Sequence, residues 1–183
     1  MDGRQRRTAG LTLVELLVVL SLVAILLGIG LPGFQQLQET TRLRSQMYRM
    51  LSDILLTRSE AIKRNRQVVM CPSQLHSTGV RQCEGIFRDG WVIFPDLNHN
   101  RELDANEPVI RTGEGFTAAY SLTNRAGTRD AAEKIAYRPD GTSRRNRTLM
   151  FCSTRRPDIE SFNIVMNIIG RPRTERGWGD CPT

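Results

Sequence analysis

Twenty-one consecutive residues, Leu11 to Leu31 (LTLVELLVVLSLVAILLGIGL), hold a single ionisable side chain, Glu15. At about 1.5 Å of rise per residue, a helix of this run spans roughly 30 Å, the thickness of a bilayer's hydrocarbon core. No other stretch of the chain approaches this length, so one membrane span near the N-terminus is expected. The residues ahead of it, MDGRQRRTAG, carry Arg4, Arg6 and Arg7 against the single acid Asp2. Such a cationic flank holds the N-terminus in the cytoplasm and sends the C-terminal bulk across. A secretory signal peptide fits poorly, because its apolar region runs about 7–15 residues and ends at small residues. This run is longer and is followed by Pro32, Gly33 and Phe34. A plain anchor leaves Glu15 unexplained, since a carboxylate within a span costs about 3 kcal/mol on insertion scales.

The segment Gly10-Leu11-Thr12-Leu13-Val14-Glu15 accounts for both oddities. It resembles the type IV prepilin signature: a basic leader, Gly, an apolar residue, Thr-Leu-x-Glu-Leu, then a retained apolar helix. The resemblance implies that a prepilin peptidase cuts between Gly10 and Leu11 on the cytoplasmic side and methylates the new N-terminus at Leu11. Most members of that group have Phe where this chain has Leu11. The resemblance also implies that Glu15 pairs with an N-terminal amine in an assembling filament, and that the helix bends near Pro32, where one backbone donor is missing.

From Leu37 to about Arg66 there is no Gly or Pro. Met47, Met50, Leu51, Ile54, Leu55, Ala61 and Ile62 recur at three- and four-residue steps, an amphipathic stripe that Arg42, Arg44, Arg49, Arg58, Lys63 and Arg64 mostly avoid. The helix is therefore expected to continue over residues 32–66. Beyond it, short runs read as strands: Gln67–Cys71, Gly90–Phe94, Pro108–Arg111, Phe116–Leu122, Lys134–Tyr137, Thr148–Cys152 and Phe162–Ile169. Turn signals at Asp89-Gly90, Gly113, Gly115, Gly127, Pro139-Asp140-Gly141 and Gly170 separate them. The expected architecture is α+β: a leader (1–10), a membrane or filament-core helix (11–31), its amphipathic continuation (32–66), and an antiparallel β-rich head (67–183).

Four cysteines fall in the head. Three pairings are possible. Cys71–Cys83 and Cys152–Cys181 are favoured because each closes a local loop, and the expected periplasmic setting lets disulfides persist. No C-x-x-C pair points to zinc.

Several patterns then narrow the reading. Thr57-Arg58-Ser59-Glu60-Ala61-Ile62-Lys63-Arg64 leads into the first strand and Cys71-Pro72. Asp89-Gly90-Trp91-Val92-Ile93-Phe94, an Asp/Asn-rich turn and Glu107-Pro108-Val109-Ile110-Arg111 follow, and Gly170-Arg171-Pro172-Arg173 precedes Cys181. The arrangement resembles the GspH/FimT family of minor pilins and pseudopilins over essentially the whole chain, with the G-R-x-R segment most like the FimT type. That type is implied in binding DNA during natural transformation. The resemblance implies a type IV pilin-like fold, assembly with other pilins or pseudopilins, and residence in the inner membrane, head in the periplasm, before incorporation in a pilus at the cell surface.

The residues support an anionic ligand on their own terms. Arg171 and Arg173 alternate, so in an extended chain they point the same way; Pro172 stiffens the segment, and a Cys152–Cys181 bridge would tether it. Paired guanidiniums suit successive phosphates. Arg176 is near, Trp178 can pack on the head or stack on a base, and Glu175 and Asp180 dilute the field. Arg144, Arg145 and Arg147 form a second cluster, and Arg155 and Arg156 a third. If these turns share one end of the head they make a basic platform for sequence-independent DNA binding.

The remaining motif, 96–107, places Asp96, Asn98, Asn100, Asp104 and Glu107 at EF-hand-like positions. Arg101 replaces the usual glycine and the flanks read as strands, so a hairpin loop with Asx turns is preferred to a calcium site. His76 and His99 are the only histidines, and no nucleophile elbow or phosphate loop is present; neither an enzyme nor a cofactor is expected. A structural minor pilin that primes assembly and a type II secretion pseudopilin share every feature except a need for the arginines. Net charge is poor support for a ligand. Of 26 basic residues only two are lysine, and loss of the leader lowers the formal charge from +7 to +5.

Overall fold

The computed structural model describes residues 12–179 and 181, and the side chains of these except at 29–32. The chain divides into two compact units between Gln38 and Glu39.

Helix α1 runs from Leu13 to Arg64. It starts where Thr12 Oγ1 accepts a hydrogen bond from the Glu15 amide at 3.3 Å, a Thr-x-x-Glu start that satisfies one of the first-turn donors. Its most apolar 18-residue window has a mean hydropathy of 2.7, long and apolar enough to cross a membrane. Helical backbone continues through Pro32. The helix ends at a Schellman-type cap with Asn65 in the left-handed region (φ 49°). There the Arg66 amide bonds to the Ala61 carbonyl and the Asn65 amide to the Ile62 carbonyl, each at 3.2 Å.

Within the second unit α1 buries Leu43, Met47, Met50, Ile54, Thr57 and Ala61, steps of four and three that form one narrow stripe. Leu55 and Ile62, read from the sequence as part of that stripe, are exposed, and Leu51 is only half-buried. One residue is about 100° of turn in a 3.6-residue helix, so these three lie on its shoulder. The buried Thr57 hydroxyl donates back to the Asp53 carbonyl at 2.7 Å.

Eight strands follow: β1 (Val68–Pro72), β2 (Gly90–Pro95), β3 (Arg111–Glu114), β4 (Tyr120–Thr123), β5 (Ile135–Tyr137), β6 (Arg147–Ser153), β7 (Phe162–Met166) and β8 (Pro172–Arg176). A one-turn helix, α2 (Leu75–Thr78), lies between β1 and β2. The strands make two antiparallel sheets, ordered β3-β2-β1-β5 and β4-β6-β7-β8. The main core joins the α1 stripe to Val68, Met70, Trp91, Ile93 and Tyr137 of the first sheet and to Leu122, Leu149, Phe151, Ile164 and Met166 of the second. A smaller core on the other face of the first sheet holds Val69, Cys71, Val92 and Phe94 under Cys83 and Leu103.

Three expected strands are shifted or shortened for local reasons. Pro108 has no N–H, and the third strand begins only at Arg111 after the Ile110 amide reaches the Ile93 carbonyl at 2.8 Å. Residues 117–120 form a turn closed by the Tyr120 amide on the Thr117 carbonyl (3.0 Å) before β4 starts. The Phe162–Ile169 run stops at Met166, where the Gly170 amide closes a turn on the Asn167 carbonyl (2.9 Å).

Cys71 and Cys83 are bonded (S–S 2.02 Å), as are Cys152 and Cys181 (1.98 Å), and among the described residues no cysteine is free. Tyr137 is fully buried, its hydroxyl near Met166 Sδ (3.9 Å), and burial pushes its pKa up to about 12. In the unfolded chain the phenol ionises near 10. The stability linked to Tyr137 is thus complete below pH ~10 and lost as pH rises from about 10 to about 12, because the phenolate favours the unfolded chain. Urea unfolding across that window should show a loss of about 2–3 kcal/mol that Tyr137→Phe lacks.

Candidate functional site

The second sheet decides which arginines can act together. β6 runs from Arg147 to Ser153, antiparallel to β4 and β7, and β8 is antiparallel to β7. The start of β6, the ends of β4 and β7, and the start of β8 therefore share one end of the sheet. Arg144 and Arg145 arrive there on the β5–β6 connection and Arg147 opens β6, while Arg171 lies on the β7–β8 turn and Arg173 at the start of β8. This end meets the last turns of α1, where Arg58 Nε donates to the Gly141 carbonyl at 2.9 Å, and its two connections are joined by the Ser143 amide on the Ile168 carbonyl at 2.9 Å.

Arg155 and Arg156 lie at the opposite end. They follow Ser153, the last residue of β6, which stands six residues from Arg147, or about 20 Å of strand. There Ser153 Oγ donates to the buried Glu39 at 2.8 Å, at the start of the packed part of α1. The platform of three clusters expected from the sequence is thus divided. Sequence order places two loops near one another in the chain but says nothing of which end of an antiparallel sheet each occupies. Two of the far-end arginines are matched by acids, while Arg155 is exposed and makes no ion pair among the described residues. Arg156 makes two 2.9 Å bonds to Asp158, which raise its pKa and lower that of Asp158. Arg176 pairs with Glu160 at 2.8 Å, toward that same end.

At the first end the arginines differ in freedom. Arg147 is a brace: it donates to the Glu133 carbonyl (2.7 Å), the Lys134 carbonyl (3.1 Å) and the Glu133 carboxylate (3.3 Å). Burial lowers its pKa, and Glu133 opposes that effect. Arg145 makes only a long, exposed pair with Glu133 (3.9 Å). Arg173 pairs with Glu175 at 3.4 Å on an exposed strand edge, a contact of little strength in water. Arg144 and Arg171 have no side-chain partner among the described residues; the Arg171 amide is held by Asn167 Oδ1 (3.3 Å). Arg171 and Arg173 line one depression of about 410 Å³ together with Arg125, Arg147 and Trp178. A neighbouring one of about 350 Å³ is lined by Arg144, Arg145 and Arg147, so the two meet at Arg147. Arg125 was not singled out from the sequence; an isolated arginine after a polar turn gives no signal there. Trp178 is half-buried with Arg125 and Arg173 over its ring.

The 96–107 segment is a hydrogen-bonded loop between β2 and β3. The amides of Asn100 and Glu102 bond to the side-chain oxygens of Asn98 (3.2 Å) and Asn100 (2.7 Å), two Asx turns. Asp104 Oδ2 accepts from the side-chain amides of Asn98 and Asn100, and Glu107 accepts from the Leu97 and Asp104 amides. Asp96 Oδ2 accepts from Gln67 and the Arg101 amide. These oxygens face N–H donors, and among the described residues no three His, Cys, Asp or Glu side chains are grouped to hold a metal. Gly10 and Leu11 lie outside the described residues; Glu15 stands in the first turn of α1.

Comparison with known proteins agrees with this architecture. The family described as Type II transport protein GspH matches residues 46–170, and the Prokaryotic N-terminal methylation motif matches residues 5–31. A Thermus thermophilus pilin-like protein, PilA1, is 37% identical over 117 residues, covering 62% of this chain and 65% of that protein. Among solved structures, the type IV minor pilin FimU of Pseudomonas aeruginosa has the same fold (TM-score 0.54, 18% identity, 76% of this chain and 92% of that one). The minor pseudopilin EpsH from the Type 2 Secretion System of Vibrio cholerae is also similar (TM-score 0.50, 11% identity, 73% and 95%). With its apolar N-terminal helix, methylation motif and two-sheet head, the chain belongs to the GspH family of minor pilins and pseudopilins.

Proposed function

We propose that this protein is a minor type IV pilin that binds DNA without sequence preference, as a step in uptake for natural transformation. A prepilin peptidase removes the leader after Gly10 and methylates Leu11; Glu15 takes part in assembly with other pilins. The subunit waits in the inner membrane with its N-terminus in the cytoplasm and its head in the periplasm, then joins a filament. The observation that carries the DNA reading is the segregation of charge in the second sheet. Arg171, Arg173, Arg144 and Arg145 gather at one end with weak or no pairing, whereas at the other end Arg156 and Arg176 are matched by acids of their own and Arg155 alone is without an ion pair among the described residues. Free guanidiniums at a shared end suit a polyphosphate, whose backbone carries no base information.

The test is binding of a random-sequence duplex to the full chain in neutral detergent over a salt series. Arg171→Gln with Arg173→Gln should weaken binding by at least about ten-fold at ~0.1 M salt and take about two units from the log–log salt slope. Arg156→Gln should stay within about two-fold. Unchanged binding by the double variant overturns the reading. The GspH match and the EpsH-like fold favour one alternative, a type II secretion pseudopilin; a deletion strain that loses exoprotein secretion and keeps transformation would establish that role instead.

A further inference from the structure

Arg125 stands on a tight turn between β4 and β5. Asn124 fixes that turn: its side-chain oxygen accepts from the Thr128 (3.0 Å) and Arg129 (3.4 Å) amides, and its carbonyl from the Gly127 amide (3.0 Å). The Arg125 side chain makes no ion pair or hydrogen bond among the described residues. Instead its Cζ lies 4.3 Å from the centroid of the Trp178 ring, with Arg173 Cζ over the same ring at 5.7 Å.

The tail that carries Trp178 is held at three points. The Gly177 amide donates to the Ser161 carbonyl at 2.9 Å. Gly179 (φ 124°) lies so close to the Arg125 turn that a Cβ there would come within 2.6 Å of the Arg125 carbonyl oxygen and 2.8 Å of Met150 Sδ. Cys181 is bonded to Cys152 of β6. The tail thus crosses the sheet from its β8 edge toward the turn after β4 and brings the indole between two arginines that are far apart in the chain.

A guanidinium over an aromatic ring uses its face for that contact, and its N–H donors remain in the plane, open to a phosphate. A guanidinium in a short two-bond carboxylate pair, as Arg156 is with Asp158, has spent part of them. We propose that Arg125 is a phosphate contact alongside Arg171 and Arg173, and that Trp178 is the positioning residue that aligns Arg125 with Arg173. The ligand class is a phosphodiester backbone. The inference rests on the polyphosphate reading of the same site and extends it to a residue outside the G-R-x-R segment.

The same duplex titration with the full chain in detergent tests it. Arg125→Gln replaces an exposed side chain; it should weaken binding about five-fold at ~0.1 M salt and take about one unit from the salt slope. Trp178→Ala should produce a similar loss with the circular dichroism of the head retained. Trp178→Phe, which keeps an aromatic face for the guanidiniums, should return affinity to within about two-fold of the parent. Parent-like binding by Arg125→Gln while the Arg171/Arg173 double variant is impaired overturns this inference and leaves the wider reading standing. Parent-like binding by both overturns the wider reading too. Equal losses in Trp178→Phe and Trp178→Ala overturn the positioning role.

Discussion

Gly170→Ala will destabilise the head by about 3 kcal/mol or more, although it alters no ligand-facing side chain. Gly170 has φ 81°, and a Cβ on it would lie 2.1 Å from the Gly141 carbonyl oxygen and 2.9 Å from Tyr137 Cε1. The left-handed backbone alone costs a residue with a Cβ about 1–2 kcal/mol, and overpacking adds about 1–3 kcal/mol. Neither neighbour can recede. Tyr137 is fully buried, and Gly141 is pressed toward Ile62 of α1 while its carbonyl accepts from Arg58. Urea unfolding measures the change, and a loss below about 1 kcal/mol would count against the packing described. The glycine that opens Gly170-Arg171-Pro172-Arg173 is thus a packing residue: it lets the β7–β8 turn close on the turn at Gly141, and so sets where Arg171 begins.

Asp53→Ala should cost about 3 kcal/mol, by a different route. Asp53 is buried, with Oδ2 accepting from Trp91 Nε1 and Oδ1 from Arg111, both at 2.8 Å. Arg49 lies alongside, its Cζ 5.4 Å from the Trp91 centroid and 4.8 Å from that of Phe116. Burial lowers the Arg49 pKa, while Glu114 and Asp53 act to restore it. Removing the carboxylate leaves the buried indole N–H without an acceptor and takes one of two compensating charges from Arg49. Asp53→Asn retains an oxygen for Trp91 and should cost less, about 1–2 kcal/mol. Urea unfolding followed by tryptophan fluorescence would separate the two variants; equal stabilities would contradict the role of the acceptor.

The long helix was legible because its physics is local. The apolar run, the Thr12–Glu15 start and the 3.6-residue stripe each act within a few residues of chain. The strand runs with β-branched and aromatic residues were legible too, as at Val68–Pro72 and Gly90–Pro95. β8 was missed because Pro-Arg-Thr-Glu-Arg resembles a polar tail; it is a strand only because β7 supplies five partners along its length. The proposed site could be read at Arg171 and Arg173, where spacing alone implies a shared direction. It was not legible at Arg155 and Arg156, which antiparallel pairing carries to the other end, nor at Arg125, whose neighbour Trp178 arrives from 53 residues away by way of a disulfide.

That disulfide has a mechanical meaning. β8 is an edge strand held by one ladder to β7, and, on the proposed role, a ligand drawn away from Arg171 and Arg173 would peel such a strand one hydrogen-bonded pair at a time. The chain does not end at the peel. Beyond β8 the tail returns across the sheet to a covalent bond on β6, an interior strand flanked by β4 and β7. Tension entering at the motif is therefore passed around the weak edge and into the middle of the sheet, where several ladders would have to shear together before the head gave way.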